Sequence, residues 1–366
     1  MMHARLDSIQ VLRAIAALAV VLFHSHYAVD IFGKQNVWEI PFISKWGYLG
    51  VDLFFAISGF IIAHITIGRE FSLKAFVTRR FFRIYPVYIF FCLLSYFYFL
   101  KNHWVFGPAD FTLENLVKSM AILPIDGSPA YGVGWSLEHE IIFYTVAAIC
   151  LSLGSLRLLC AMIFGIAVIG FAKDLAIAKG VIKPFWDYHL LSPLNVFFLT
   201  GIVIRMLLDK IKALGWAVPA VIAIASCAIS IHLMTNADIG LRMFGRYLVL
   251  AVAVGSLIVA FLNFKSDQTS KADGVVYKCV TEIGNASYSL YLLHWIVLKV
   301  VGLRFCVEFF GVQPWAAEIW RYSWILVCIA LSIAMFRYVE KPIIRFGERL
   351  LKRRRKGEIE VAAQKS

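Results

Sequence analysis

The stretch "RAIAALAVVLFH", residues 13–24, is apolar throughout except for the arginine and the histidine at its ends. Eleven helical steps of about 100° return His24 to within roughly 20° of Arg13, about 16 Å further along the axis. Ala17 and Val20 or Val21 lie between them on that face, small enough to leave a groove. The segment reads as the first crossing of a membrane, with Arg13 near one interface and His24 inside. Two readings of the pair stand. Arg13 snorkels to the interface while His24 bonds a neighbouring helix, or the two hold an extended molecule with an anionic head and a reactive tip. Ionisable groups inside a membrane lean toward the second.

Composition agrees with a membrane chain. Of 366 residues, 61% are hydrophobic and 16% charged, against about 45–50% and about 25% in soluble domains. Thirty Phe, fifteen Tyr and ten Trp suit a bundle with aromatic belts. The formal charge of +13 falls in short loops and a basic tail, so it reads as a topology signal, with no nucleic-acid partner. The seven Cys show no CxxC or His/Cys ligand spacing, which argues against a structural metal or a disulfide framework. The first apolar run lacks a small-x-small cleavage pattern and reads as a retained helix.

Apolar runs near bilayer length fall at about 9–29, 46–67, 85–100, 135–153, 156–174, 190–208, 214–233, 244–264, 285–302 and 319–339. The expectation is an all-α polytopic bundle of about ten transmembrane helices with both termini cytoplasmic. That orientation puts most of the 36 Lys and Arg inside, above all in "GREFSLKAFVTRRFFR" (68–83) and "EKPIIRFGERLLKRRRK" (340–356). Residues 1–345 read as one transmembrane domain and 346–366 as a basic cytoplasmic tail that meets anionic lipid. The longest outer loop, 101–134, contains "ILPIDGSPAYGVG", whose Pro and Gly suit an irregular cover over the bundle.

Four further constellations carry chemistry. In "GWSLEHEIIFY" (134–144) a helix puts Ser136, Glu140 and Tyr144 on one face and Glu138 almost opposite. Glu138 reads as a helix-start charge, and Glu140 as a functional carboxylate, since a histidine and a carboxylate from two helices make a general base and its orienter. In "RRFFRIYP" (79–86), Arg79 or Arg80 with Arg83 forms a guanidinium cluster suited to phosphate or to plain topology anchoring. In "SYSLYLLHW" (287–295), Ser287, Tyr291 and His294 share one face and Tyr288 and Trp295 another, a stripe that packs helices or lines a polar cavity. In "GYLGVDLFFAISGFII" (47–62), Asp52 sits toward the outer interface, and Ser58-Gly59 permits close backbone approach.

Taken in order, "LDSIQVLRAIAALAVVLFH", "GVDLFFAISGFII", "RRFFRIYP", "GWSLEHEIIFY", "SYSLYLLHW" and "YVEKP" (338–342) resemble the acyltransferase-3 family of bacterial membrane acyltransferases, over about residues 6–342. The resemblance implies an inner-membrane enzyme that moves an acyl group, usually acetyl, from cytoplasmic acyl-CoA to a sugar hydroxyl. The acceptor would belong to an exopolysaccharide, lipopolysaccharide or lipid-linked glycan, with polysaccharide-biosynthesis proteins as further partners. It makes His24 the catalytic histidine and Arg13 its companion, matches Arg80 and Arg83 to a cytoplasmic arginine pair, and matches Trp135, Ser136 and Glu140 to a Trp-Ser-Leu-x-x-Glu element. Many relatives add a C-terminal hydrolase-like domain, so this chain resembles the stand-alone, exopolysaccharide- or Nod-factor-modifying type.

The expected mechanism rests CoA phosphates on Arg79, Arg80, Arg83 and Arg13 and brings the thioester to His24, whose tautomer Glu140 would fix. Asp52, Ser58, Trp135, Ser136, Tyr144, Tyr288, Tyr291 and His294 are the expected cavity residues. Two rivals differ in class. A transporter also needs intramembrane His, Glu and Arg, but no inverted repeat is visible. A non-catalytic assembly protein would tolerate loss of His24 and Glu140 together.

Overall fold

The computed structural model describes residues 2–25, 41–101, 112–267, 274–302 and 314–365. Most of these residues are helical, with no strand among them. In chain order the main helices are α1 (Met2–Ser25), α2 (Gly50–Thr66), α3 (Leu73–Lys101), α4 (Leu113–Met120), α5 (Trp135–Ser152), α6 (Leu156–Ala178) and α7 (Asn195–Ile211). They continue as α8 (Ala217–Asn236), α9 (Leu250–Asp267), α10 (Val275–Asn285), α11 (Ser287–His294), α12 (Pro314–Met335) and α13 (Lys341–Lys365).

Each expected span overlaps a helix, although residues 190–194 precede α7. Among the described residues, seven stretches are long and apolar enough to cross a membrane, including Asp7–Ser25, Phe42–Thr66, Leu73–Tyr98 and Glu318–Arg353. The expected spans at 135–153, 190–208 and 285–302 correspond to shorter or more polar helices, α5, α7 and α11 with its continuation. Residues 26–29 of the expected first span, His26, Cys306 and residues 102–111 of the outer loop lie outside the described residues.

Three differences from the sequence reading bear on the site. The arginine-rich segment before Pro86 is not a connecting loop but the first half of α3, which runs through Pro86. Proline removes one backbone bond there, which a helix inside a bundle tolerates when neighbours re-satisfy the freed group. α10 and α4 were not expected; α4 starts at Thr112, whose hydroxyl accepts from Asn115 N at 3.1 Å as an N-cap should. The basic segment after 345 continues α13, and Phe346 packs on Phe82 of α3 with ring centroids 5.7 Å apart.

α1 lies at the centre, packed against α2, α9, α10 and α11. Small residues let backbones meet there: a Cβ on Gly284 of α10 would fall 1.9 Å from the Gln10 carbonyl oxygen of α1. α2 and α7 cross equally closely, with a Cβ on Gly201 falling 1.9 Å from Ala56 O and one on Gly59 2.1 Å from Phe198 O. This is the small-residue packing by which membrane helices associate without a hydrophobic drive between them. The "SG" of α2 therefore serves both expectations, the glycine toward α7 and the serine toward the interior.

Candidate active site

α1, α2, α3, α5 and α11 enclose a cavity of about 210 Å³. α1 supplies Gln10 and Arg13, α2 Ser58, α3 Arg80 and Arg83, α5 Ser136, Glu140 and Tyr144, and α11 Ser287, Tyr288 and Tyr291. Helical spacing explains the assembly. Ser136, Glu140 and Tyr144 stand one turn apart on α5, and Arg80 and Arg83 three apart on α3. The groups are tied in place. Arg13 Nε donates to Ser287 Oγ at 3.0 Å. Glu140 Oε1 accepts from Ser58 Oγ at 2.7 Å and also from the Tyr144 hydroxyl. The Tyr291 hydroxyl stands 2.7 Å from Ser136 Oγ and donates to Val133 O at 3.0 Å. Tyr288 donates to Ile84 O of α3 at 2.8 Å.

Arg80 lies over the rings of Tyr144 and Phe76 at 5.1 and 5.4 Å. Its buried Nε has no hydrogen-bond partner among the described residues. A buried guanidinium N–H left without an acceptor is costly, so an arriving anion would relieve it.

Sequence reasoning gave no role to Glu340, the acid of "YVEKP". It is fully buried, accepts from Ser289 Oγ at 2.6 Å, and stands within electrostatic reach of Arg83 and Arg13. The signal available in the sequence was an acidic residue at the end of an otherwise apolar helix, which asks for a buried cation. The cavity lining therefore carries three guanidinium groups and one carboxylate, Glu140, while Glu340 is buried outside the lining within reach of Arg83 and Arg13.

His24 and His294 lie apart from this cavity and form a pair of their own. His24 Nδ1 is 3.1 Å from Val20 O and 3.2 Å from His294 Nε2, and His294 Nδ1 is 3.2 Å from Leu290 O. A carbonyl oxygen only accepts, so both Nδ1 atoms carry hydrogen in the neutral forms. His294 Nε2 then receives the His24 Nδ1–H, and the lone pair of His24 falls on Nε2. The Tyr291 ring stands between pair and cavity, 5.7 Å from His294 and 6.2 Å from Phe54. Just beyond His294 the chain widens into a π-helix, Trp295–Gly302, and the Tyr131 hydroxyl donates to Leu292 O. Such widenings recur at functional sites.

Several expectations are corrected. Glu140 does not orient His24: it lines the cavity with Arg13, a lining that His24 does not join, and its bonds go to Ser58 and Tyr144. Arg79 does not face the cavity, because it is about 100° round α3 from Arg80; its Nε pairs with Glu348 of α13 at 2.7 Å on an exposed surface. Asp52 is about 120° round α2 from Ser58 and is buried against Arg246 at 3.0 Å, outside the cavity lining. Trp135 also lies outside the lining, more than a third exposed, its ring edge-on to His139. Glu138 does more than charge a helix start: it is buried and bonds His189 Nε2 at 3.1 Å, a residue that sequence reasoning passed over. Among the described residues no three His, Cys, Asp or Glu side chains stand together as a metal site.

Comparison with known proteins bears on this geometry. The family described as an acyltransferase domain, Acyl_transf_3, matches residues 6–337. The exopolysaccharide production protein ExoZ of Rhizobium meliloti is 28% identical over 311 residues, covering 82% of this chain and 90% of that protein. The acyltransferase MdmB of Streptomyces mycarofaciens is 26% identical over 380 residues, covering 96% and 94%. The peptidoglycan O-acetyltransferase OatA of Listeria monocytogenes is 24% identical over 383 residues, covering 93% of this chain and 56% of that protein. No solved structure matches the chain.

Proposed function

For a chain that belongs to the acyltransferase-3 family and is a membrane O-acyltransferase, we propose that the donor is acyl-CoA, with acetyl as the acyl group, and that the acceptor is a sugar hydroxyl of a cell-surface glycan. Exopolysaccharide, lipopolysaccharide and lipid-linked glycans are the acceptor classes, and the inner membrane is the site of action. The observation that carries this reading is the division of labour along α1: Arg13, with Arg80 and Arg83, at a cationic cavity, and His24 about 16 Å further on in a histidine pair. Only a molecule with a charged end and a distant reactive end engages both.

The cavity is smaller than the roughly 300–1,000 Å³ of a whole-ligand site, so it receives part of the donor. The anionic end of CoA meets Arg80 and Arg83, with the Arg80 N–H groups taking phosphate oxygens. Arg13 is fixed by Ser287, with Glu340 in electrostatic reach, below the path of the pantetheine arm. The thioester carbonyl reaches His24. His24 Nε2 removes the proton of the sugar hydroxyl as its oxygen attacks that carbonyl carbon. His294 Nε2, accepting from His24 Nδ1–H, steadies the imidazolium. The C–S bond breaks, and the departing thiolate takes the proton back from His24, giving ester and free CoA.

The test is protein in nanodiscs with radiolabelled acetyl-CoA, comparing the wild type with His24→Ala for CoA release and for label on protein and glycan. CoA release that needs His24 is the expected result. Acyl transfer at the wild-type rate by well-folded His24→Ala would overturn the role of the histidine. Label retained on the wild-type protein would assign an acyl-histidine in place of direct attack.

A further inference from the structure

The first turn of α5 sends Ser136 and Glu140 into the cavity and carries Trp135, Glu138 and His139 on its other sides. Trp135 stands edge-on to His139, and Glu138 and His139 meet the segment that follows α6. Tyr188 and His189 there both adopt left-handed backbone, with φ of 56° and 57°. Consecutive non-glycine residues in that region are strained, and they persist only where surrounding contacts hold them.

The contacts are specific. Asp187 Oδ1 accepts from His189 N at 3.1 Å, its Oδ2 from Lys173 Nζ at 2.5 Å, and His189 Nε2 meets Glu138 Oε2 at 3.1 Å. The outcome is a chain of ring contacts, one pair stacked, two edge-on and one tilted. Trp135 and His139 are 5.7 Å apart, His139 and His189 4.5 Å and stacked, His189 and Trp186 4.7 Å, and Trp186 and Tyr188 5.6 Å. Tyr188 is 64% exposed, so strain has been stored to present an aromatic ring outward. At the inner edge of the run, the second oxygen of Glu138, Oε1, is buried without a hydrogen-bond partner.

An aromatic ledge with exposed Tyr188 at its rim, the His189 imidazole within it and the Glu138 carboxylate buried beneath it matches one ligand class well. A pyranose has an apolar C–H face that packs on aromatic rings and a rim of hydroxyls that donate to carboxylates and imidazoles. A phosphate suits it poorly: the nearby cation, Lys173, is held by both Asp174 and Asp187. A lipid tail would leave the ion pairs against hydrocarbon.

The ledge also joins the reactive end of the site. The Trp295 ring stands 5.3 Å from His24, edge-on, and a Cβ on Gly132 would fall 3.6 Å from that same ring. Residues 132–135 therefore bridge the histidine pair and Trp135.

We propose that the ledge formed by Trp135, His139, Trp186, Tyr188 and His189 with Glu138 is a subsite for a sugar unit of the acceptor, next to the unit whose hydroxyl reacts at His24. This rests on the acyl-transfer reading above and narrows it: the acceptor is an oligosaccharide or polymer of at least two units, not a free monosaccharide.

The experiment uses the full chain in nanodiscs and saturation-transfer NMR with hexasaccharides of glucose, galactose and N-acetylglucosamine, beside the corresponding monosaccharides. At least one hexasaccharide should bind, more tightly than its monosaccharide. Tyr188→Ala, at an exposed position, and Trp186→Ala should each weaken that binding about three- to tenfold, while His24→Ala retains it. In acetyl transfer the same two variants should raise KM for the oligosaccharide by a similar factor and leave KM for acetyl-CoA where it was. Binding by no hexasaccharide, or binding and KM untouched by both ring deletions, would overturn the subsite. Ledge-dependent binding by a protein that releases no CoA would uphold the subsite and remove the transferase reading.

Discussion

Gly284→Ala tests whether the spacing of α1 from α10 sets the site. The added Cβ would lie 1.9 Å from Gln10 O, where ordinary contact begins near 3.4 Å, so α10 must retreat by about 1.5 Å. The obstacle is helix backbone, which cannot rotate aside. α11 follows α10 after the single residue Ala286, so the displacement is passed on to Ser287 and His294. The Arg13–Ser287 bond of 3.0 Å and the His24–His294 bond of 3.2 Å both stretch past hydrogen-bonding range. Overpacking of this kind costs about 1–3 kcal/mol of stability, and a misplacement of about 1 Å costs about 100-fold in rate. CoA release from acetyl-CoA, followed with a thiol reagent, should fall about 100-fold, and the thermal midpoint of the detergent-solubilised protein should drop. Gly165→Ala in α6 is the control: a Cβ there meets nothing within 4 Å, so the variant should be as stable as the parent or more so by a few tenths of a kcal/mol. A Gly284→Ala protein with parental midpoint and parental rate would refute both the packing and the proposed geometry.

Other substitutions separate the parts. Arg80→Gln should weaken binding of a non-hydrolysable acetyl-CoA analogue about tenfold or more by calorimetry, whereas Arg79→Gln, which breaks only an exposed pair, should change it by less than about twofold. His294→Phe keeps a ring but removes the acceptor of the His24 proton; turnover should fall on the order of 10²-fold with analogue binding retained, and undiminished turnover would return the orienting role to another group. Glu340→Gln removes a buried countercharge and should lower stability by about 3 kcal/mol; adding Arg83→Gln should recover part of that loss in a double-mutant cycle, and strict additivity would show that the two do not interact.

The sequence made the helices legible because apolar runs of bilayer length admit few other structures. What it hid were breaks and joins that hydropathy does not mark. Pro86 lies inside α3 because a packed bundle tolerates a proline that propensity alone would place at an end. α10 is amphipathic and adjoins the span at 285–302, so its separate course was invisible to a hydropathy count. Within the site, single-helix geometry was dependable: Ser136, Glu140 and Tyr144 share a face as spacing requires, and Arg80 with Arg83 faces inward as a pair three apart. Relations between helices were not. Pairing His24 with Glu140 assumed that two ionisable residues on different helices line one site. The partner was instead a residue from the hydroxyl stripe, His294, and the acid near Arg13 and Arg83 was Glu340, some 200 residues beyond Glu140.

Among the described residues, buried charge contacts of two kinds differ in a way that says where a ligand goes. Asp52 meets Arg246 at 3.0 Å, Glu318 meets Arg321 at 2.7 Å and Glu138 meets His189 Nε2 at 3.1 Å in buried contacts away from the cavity. Such pairs fix helices against each other, and breaking one would leave an isolated charge in a poor solvent. Arg13, Arg80 and Arg83 with Glu140 and Glu340 are a different case. Three guanidinium groups and Glu140 line an opening rather than a closed contact, with Glu340 buried behind them, and the excess at the lining is positive. An excess cation in a membrane protein is tolerable where water or an anion reaches it, so the uneven set needs an anionic occupant in a way that the contacts away from the cavity do not. A ligand that was only an anion would need nothing more, and His24 would then lie idle about 16 Å away along the same helix. A donor whose anionic and reactive ends sit far apart on a flexible arm uses both the uneven charge and the histidine pair at once, and that is the physical reason to prefer acyl transfer to transport for this chain.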